Sequence, residues 1–145
     1  VVAFSFTPAE VHAALEHRLP GIERRVDAMK KLQQAGWSTG LRFDPLIYHP
    51  DYQAQYTRLF EQVCGPLDTT RLHSVSLGPF RLPRTYFRNI VRLYPDEALF
   101  AGNFTETAGM ISYPESLENE MTDFCTRELL KHVPETALFP CRLAA

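Results

Sequence analysis

Ser5, Arg42, Asp44 and Ser76 are the side chains whose types and places in the chain suit ligand chemistry. Each falls at the C-terminal end of a run that reads as a β-strand. Ser5, Phe6 and Thr7 close the first run, Arg42, Phe43 and Asp44 the second, and Ser76, Leu77 and Gly78 the third. In parallel α/β sheets and barrels, ligands meet the strands at those ends. Plainer roles stand beside each. The Ser5 hydroxyl can bond neighbouring backbone, Arg42 can pair with a surface carboxylate, and Asp44 before Pro45 can be a strand-ending turn residue. Tyr48 and His49 follow the second strand end in a loop, which makes them further candidates.

Other chemistries find less support. The histidines are His12, His17, His49, His73 and His132. No two are spaced i, i+4 on one helix, and none accompanies cysteines at zinc spacing, so no metal site is expected from this chain. GxSxG, the phosphate loop and GxGxxG are all missing. Arg84, Arg88 and Arg92 recur every four residues, with Arg81 upstream. On a helix they line one face, which suits phosphates or a solvated face paired with nearby acids.

The elements that must position these residues alternate. Val1 to Phe6 reads as a buried strand. Thr7-Pro8-Ala9-Glu10 has the form of a capping box with Pro8 at the first helical position. Leu19-Pro20-Gly21 breaks that helix. Ile22, Val26, Met29 and Leu32 then give one apolar face to a second helix over 22–35, closed by Gly36 in a left-handed conformation. Thr39 to Phe43 is the next strand, ended by Asp44-Pro45. Asp51 caps a third helix with Tyr52, Tyr56, Leu59, Phe60 and Val63 inward, stopped at Gly65-Pro66. Leu72 to Leu77 is a strand, Pro83 to Leu93 a helix, and Ala98 to Phe104 a further strand. Thr105 to Pro114 is a loop or hairpin. Ser116 to Val133 is a long helix with Leu117, Met121, Phe124 and Leu129 or Leu130 inward, and Leu138 to Leu143 a last strand. Strands alternating with helices argue for an α/β fold with mostly parallel strands, in one domain over 1–145.

The 145 residues suffice for one core. A net charge of −2 gives no overall bias toward nucleic acid or membrane. No apolar run is long enough to span a bilayer, and Val1 to Phe6 has no basic n-region of a signal peptide. The three cysteines, Cys64, Cys125 and Cys141, include no CxxC pair. They read as small buried hydrophobes of a reducing, cytoplasmic compartment. The chain opens inside a strand without Met, as a piece of a longer protein would.

Three stretches carry a resemblance. They are Phe4-Ser5-Phe6-Thr7-Pro8-Ala9-Glu10-Val11; Leu19-Pro20-Gly21-Ile22-Glu23-Arg24-Arg25-Val26-Asp27-Ala28; and Ala35-Gly36-Trp37-Ser38-Thr39-Gly40-Leu41-Arg42-Phe43-Asp44-Pro45-Leu46-Ile47-Tyr48. In order and spacing they resemble the spore photoproduct lyase family of radical S-adenosylmethionine (radical SAM) proteins. Ser74 to Arg81, Gly102, Met110 to Tyr113 and Pro134 to Cys141 are similar to later family stretches. The resemblance implies the C-terminal half of a partial (β/α) barrel that binds S-adenosylmethionine beside a [4Fe-4S] cluster. It implies Ser5 near the ribose and amino-acid part of the cofactor and Asp44 with Pro45 near its adenine; Arg42 is a further cofactor-side candidate, and Tyr48, His49, Ser76 and Arg81 are the substrate-side candidates. The family's activity is radical-based reversal of a thymine lesion in DNA.

Two features depart from the family pattern. The CxxxCxxC motif that holds the cluster is absent, and the three cysteines are too far apart to replace it. Alone, the chain is expected to be inactive and to need a missing N-terminal half of the barrel. The family's lesion-binding hairpin is rich in Lys, Arg and Tyr, whereas Phe100 to Tyr113 here has no Lys or Arg and carries Glu106. Nucleic acid as a partner therefore has weak support from the hairpin. The alternative reading is a stand-alone α/β binding or interaction module without redox chemistry, which would dimerise or otherwise cover its open sheet edges.

Overall fold

A computed structural model describes residues 1–16 and 18–140. The capping turn expected at the start does not form. β1 (Val2–Ser5) leads into α1 (Ala9–Leu15), but Pro8 precedes the helix and no side chain caps it. Thr7 Oγ1 instead donates to Glu16 Oε1 at 2.9 Å, and Glu10 accepts from Arg58 Nη2 at 2.7 Å. Tertiary partners thus take both side chains the local motif would use.

α2 (Ile22–Gln34) buries Val26 and Met29 as its apolar spacing requires, with Ile22 packed beside them. Gly36 follows at φ +84°, the left-handed conformation that closes the helix. β2 (Thr39–Leu46) does not stop at Asp44-Pro45, as expected, but runs through it to Leu46 across a cis Asp44–Pro45 peptide. Leu46 still finds a partner, Pro79, after a shift in register. α3 (Tyr52–Cys64) buries all five residues of the expected stripe. Asp51 precedes it, but its side chain makes no cap.

β3 (Leu72–Pro79) is two residues longer than expected. A short strand the sequence reading missed, β4 (Arg81–Pro83), turns directly into α4 (Arg84–Leu93). Residues 98–101 form a 3₁₀ turn rather than a strand, begun by Glu97, whose side chain accepts from the Leu99 N–H. The hairpin is real: β5 (Thr105–Thr107) and β6 (Met110–Ser112). α5 (Glu115–Leu129) turns Met121, Cys125 and Leu129 inward, while Leu130 is 37% exposed. β7 (Leu138–Pro140) is the last described strand, so the expected continuation to Leu143 lies outside the described residues.

The described strands make two sheets. The first is parallel throughout, in the order β1-β2-β3-β7. The second is antiparallel, in the order β4-β6-β5. The fold is α/β with parallel strands alternating with helices.

Helices pack against one face of the sheet. Leu41, Phe43, Val75 and Leu77 of the sheet share one buried cluster with Met29 of α2, with Tyr56, Leu59, Phe60 and Val63 of α3, and with Met121, Cys125 and Leu129 of α5. A second cluster, Ile47, Phe80 and Tyr113, joins the strand ends to α4 and the hairpin through Phe87 and Phe104. Phe60 is fully buried and meets Phe43 edge-on at 5.0 Å. Phe60→Ala is expected to cost about 3–5 kcal/mol in urea unfolding. Leu93→Ala, at a residue 71% exposed, should cost less than about 0.5 kcal/mol. Equal losses would mean the core lies elsewhere.

Candidate functional site

Side chains alternate along a strand, so pairing register decides which residues share a face. Ser5 pairs with Arg42, Gly40 with Ser74, and Arg42 with Ser76. Ser5, Gly40, Arg42, Asp44, Ser74 and Ser76 therefore stand on one face, opposite α2, α3 and α5. The structure brings four of the seven expected site residues together here.

Their contacts are specific. Ser76 Oγ donates to Asp44 Oδ2 at 2.7 Å. Arg42 Nη1 donates to the Leu41 carbonyl at 3.0 Å and to Ser74 Oγ at 3.2 Å, so its guanidinium lies back along the sheet. The surface under it is small-sided. A Cβ at Gly40 would come within 3.0 Å of Ser74 Oγ and 3.3 Å of Arg42 Nη1. Gly40 and Ser74 were not among the expected site residues. Their spacing of two from Arg42 and Ser76 was the signal available.

Tyr48 and His49 sit beyond the end of β2, away from that face. Two phenols pin their loop: Tyr56 Oη accepts from the Ile47 N–H at 2.8 Å, and Tyr113 Oη from the Tyr48 N–H at 3.0 Å. Burial pushes both tyrosines above their ordinary range. His49 Nδ1 accepts from the Asp51 N–H at 3.0 Å. Tyr48, His49 and Gln55 line a cavity of about 270 Å³ closed by α1 and Leu99. Arg81 is in a third place, on β4. Its Nη2 donates to Glu118 Oε2 at 2.9 Å, beside a cleft of about 640 Å³ bounded by the hairpin and α5. Glu118, buried at that cleft, was also missed. It lies 37 residues from Arg81, with no local pattern joining them.

The end of β1 is held by a cluster the sequence did not reveal. Arg25 donates through Nη1 to the Ser5 carbonyl at 2.7 Å, through Nε to the Pro20 carbonyl at 2.8 Å, and through Nη2 to Glu16. His12 Nδ1 and Thr7 Oγ1 also bond Glu16, at 2.6 and 2.9 Å. Burial pushes the Glu16 carboxyl up. The hydrogen bonds from Arg25, His12 and Thr7, with the Arg25 charge, outweigh it and hold the group below its ordinary value.

Cys64 and Cys125 are buried, as expected, and burial pushes both thiols up to about 12, with Glu128 adding to the effect at Cys125. His17 and Cys141 lie outside the described residues. Among the described residues no three metal-ligating side chains gather, and no helix is long and apolar enough to cross a membrane.

No protein-family model matches the chain, and no curated protein does. Solved structures do. A cysteine-to-alanine mutant of spore photoproduct lyase with dinucleoside spore photoproduct is similar at a TM-score of 0.80 and 20% identity, over 98% of this chain and 44% of that one. A double mutant with bound AdoMet and dinucleoside spore photoproduct is similar at 0.78 and 19%, with the same coverage. The chain thus has the fold of a C-terminal part of that radical SAM enzyme and spans less than half its length.

Because the Glu16 carboxyl is held low when folded, its stabilising contribution is present above about pH 4.5, its ordinary value. It is lost as the pH falls through the lower folded value. The stability difference between the protein and Glu16→Gln should therefore shrink as pH drops below 4.5 in urea titrations. A difference constant from neutral to strongly acid pH would show that the cluster does not depend on this charge.

Proposed function

We propose that this chain is the C-terminal part of a radical SAM protein whose polar sheet face holds S-adenosylmethionine. The observation that carries the reading is the gathering of Ser5, Arg42, Asp44 and Ser76 on the sheet face opposite α2, α3 and α5. The bound AdoMet of a similar structure supports it.

The residues present fit that cofactor. Gly40, Ser74 and Ser76 are small and buried, while Arg42 and Asp44 on the same face stay partly exposed to a ligand. The Arg42 guanidinium suits the carboxylate of the methionyl part. The Asp44 carboxylate suits donors, either the amino group or the ribose hydroxyls, and the Ser76 hydroxyl already orients it. Ser5 offers a hydroxyl on the exposed edge strand, and Arg25 fixes that strand end by its carbonyl. When bound beside a [4Fe-4S] cluster, S-adenosylmethionine supplies a carbon radical that abstracts hydrogen.

Cys64 and Cys125 do not fit a cluster, since each is a buried thiol held well above the thiolate range. In this reading the three cluster thiolates come from the remaining part of the protein. Tyr48, His49, Ser76 and Arg81 are proposed on the substrate side. The dinucleoside photoproduct in similar structures favours a nucleic-acid photolesion as the substrate class.

The test is AdoMet binding to full-length protein purified without oxygen, by equilibrium dialysis. Arg42→Ala and Asp44→Asn should each weaken binding roughly ten- to a hundredfold, the loss of one charged hydrogen bond, with unchanged circular dichroism. Unchanged affinity in both variants would overturn the assignment of this face. A full-length protein that carries no iron and binds no AdoMet would overturn the function itself.

A further inference from the structure

Charge is distributed unevenly along this chain. Between Asp68 and Asp96 there are five arginines and no Asp, Glu or Lys, although the whole chain carries a net charge of −2. Three of the five, Arg84, Arg88 and Arg92, are exposed on α4. Successive members are four residues apart, so the ridge runs about 12 Å along the helix and winds about 80° around it. Thr85 and Asn89 lie beside the ridge and are also exposed. That strip of α4 therefore presents donors and no carboxylate.

The counter-charges are few. Arg84 Nη1 donates to Glu106 Oε1 at 3.1 Å, in a pair with both side chains well exposed. Such a pair contributes little and exchanges readily. Among the described residues, Arg88 and Arg92 have no ion-pair partner. Arg81 is not part of the ridge, because Glu118 takes it. A solvated helix face laced with internal salt bridges, the plain expectation for such a stripe, is not what the structure contains.

The ridge is also held rigidly. Phe87, on the inner side of α4, meets Phe100 at 5.6 Å and Phe104 at 5.2 Å. The Arg84 N–H donates to the Gly109 carbonyl in the hairpin turn at 2.8 Å. The cleft bounded by the hairpin and the ridge are thereby fixed to one another.

We infer that the α4 ridge of Arg84, Arg88 and Arg92 is a contact surface for the sugar–phosphate backbone of DNA. Guanidinium forks match phosphate oxygens, and an all-arginine ridge is better suited to that geometry than to a diffuse anionic surface. A ridge of about 12 Å covers three to four nucleotides of one strand at 3.4 Å each. Polar side chains such as Thr85 and Asn89 also donate to phosphates. The hairpin lacks basic residues, so backbone contact passes to the helix beside it. The inference deepens the proposed function by naming its partner, and it rests on that reading only for the choice of DNA among polyanions.

The test uses full-length protein and a fluorescent duplex of random sequence, read by anisotropy across a salt series. The double variant Arg88→Gln with Arg92→Gln should bind about tenfold more weakly, with the log–log salt slope shallower by about two, one per arginine. Glu106→Gln, which frees Arg84, should tighten binding. Both variants are at exposed positions, and circular dichroism checks the fold. Unchanged affinity and slope in the double variant would overturn the inference. So would loss of binding to vesicles containing anionic lipid with none to DNA. AdoMet binding, measured in parallel, separates this proposal from the last. An intact AdoMet site with no DNA effect sinks only the ridge, and a DNA effect without AdoMet binding sinks only the cofactor reading.

Discussion

The fold depends on a parallel sheet packed by helices on one face. α2, α3 and α5 all cover the face that carries Leu41, Phe43, Val75 and Leu77. Burial of these side chains is the main stabilising term, at roughly 25 cal/mol per Å² of apolar area. Because the strands are parallel and their side chains alternate, the same register that buries this set must put Ser5, Gly40, Arg42, Asp44, Ser74 and Ser76 on the other face. A slip of one residue would exchange the two sets. The polar face is thus fixed by the core behind it.

What could be read in the sequence is what local chemistry decides. The apolar stripe of α3, the left-handed Gly36 and the loop or hairpin over 105–114 all depend on residues within one or two turns of each other. They match the structure. The strand-end rule found four residues that do share a face, because parallel register follows from alternation of strands and helices. The other candidates, Tyr48, His49 and Arg81, line a separate cavity and cleft.

The misreadings have a common cause. Thr7 and Glu10 form a sound capping motif on paper, yet Glu16 and Arg58 compete for them and win. Asp44-Pro45 is a turn signal, yet Leu46 gains a strand partner and full burial by continuing past it. In each case the deciding partner lies beyond the local motif. The Arg25 cluster is the clearest instance, for it ties residues 5, 12, 16, 20 and 25 into one network. Pattern shows Arg25 as an ordinary exposed-face arginine, and only the fold shows that it holds the strand carrying Ser5.

The arginines show how placement separates residues of one type. Arg42 lies over a small-sided sheet face, where its charge can meet a ligand carboxylate. Arg81 is held to the buried Glu118, and its charge is satisfied inside the cleft. Arg84 shares its charge weakly with Glu106, and Arg88 and Arg92 project into solvent from a helix whose inner side is locked by Phe87. A guanidinium cannot lose its charge, so each exposed one keeps an attraction for anions that salt screens and nearby carboxylates can cancel. On α4 they do not cancel it. The polar sheet face and the basic α4 ridge are thus two separate charged surfaces, one set by the register of the parallel sheet and the other by the packing of Phe87 against Phe100 and Phe104.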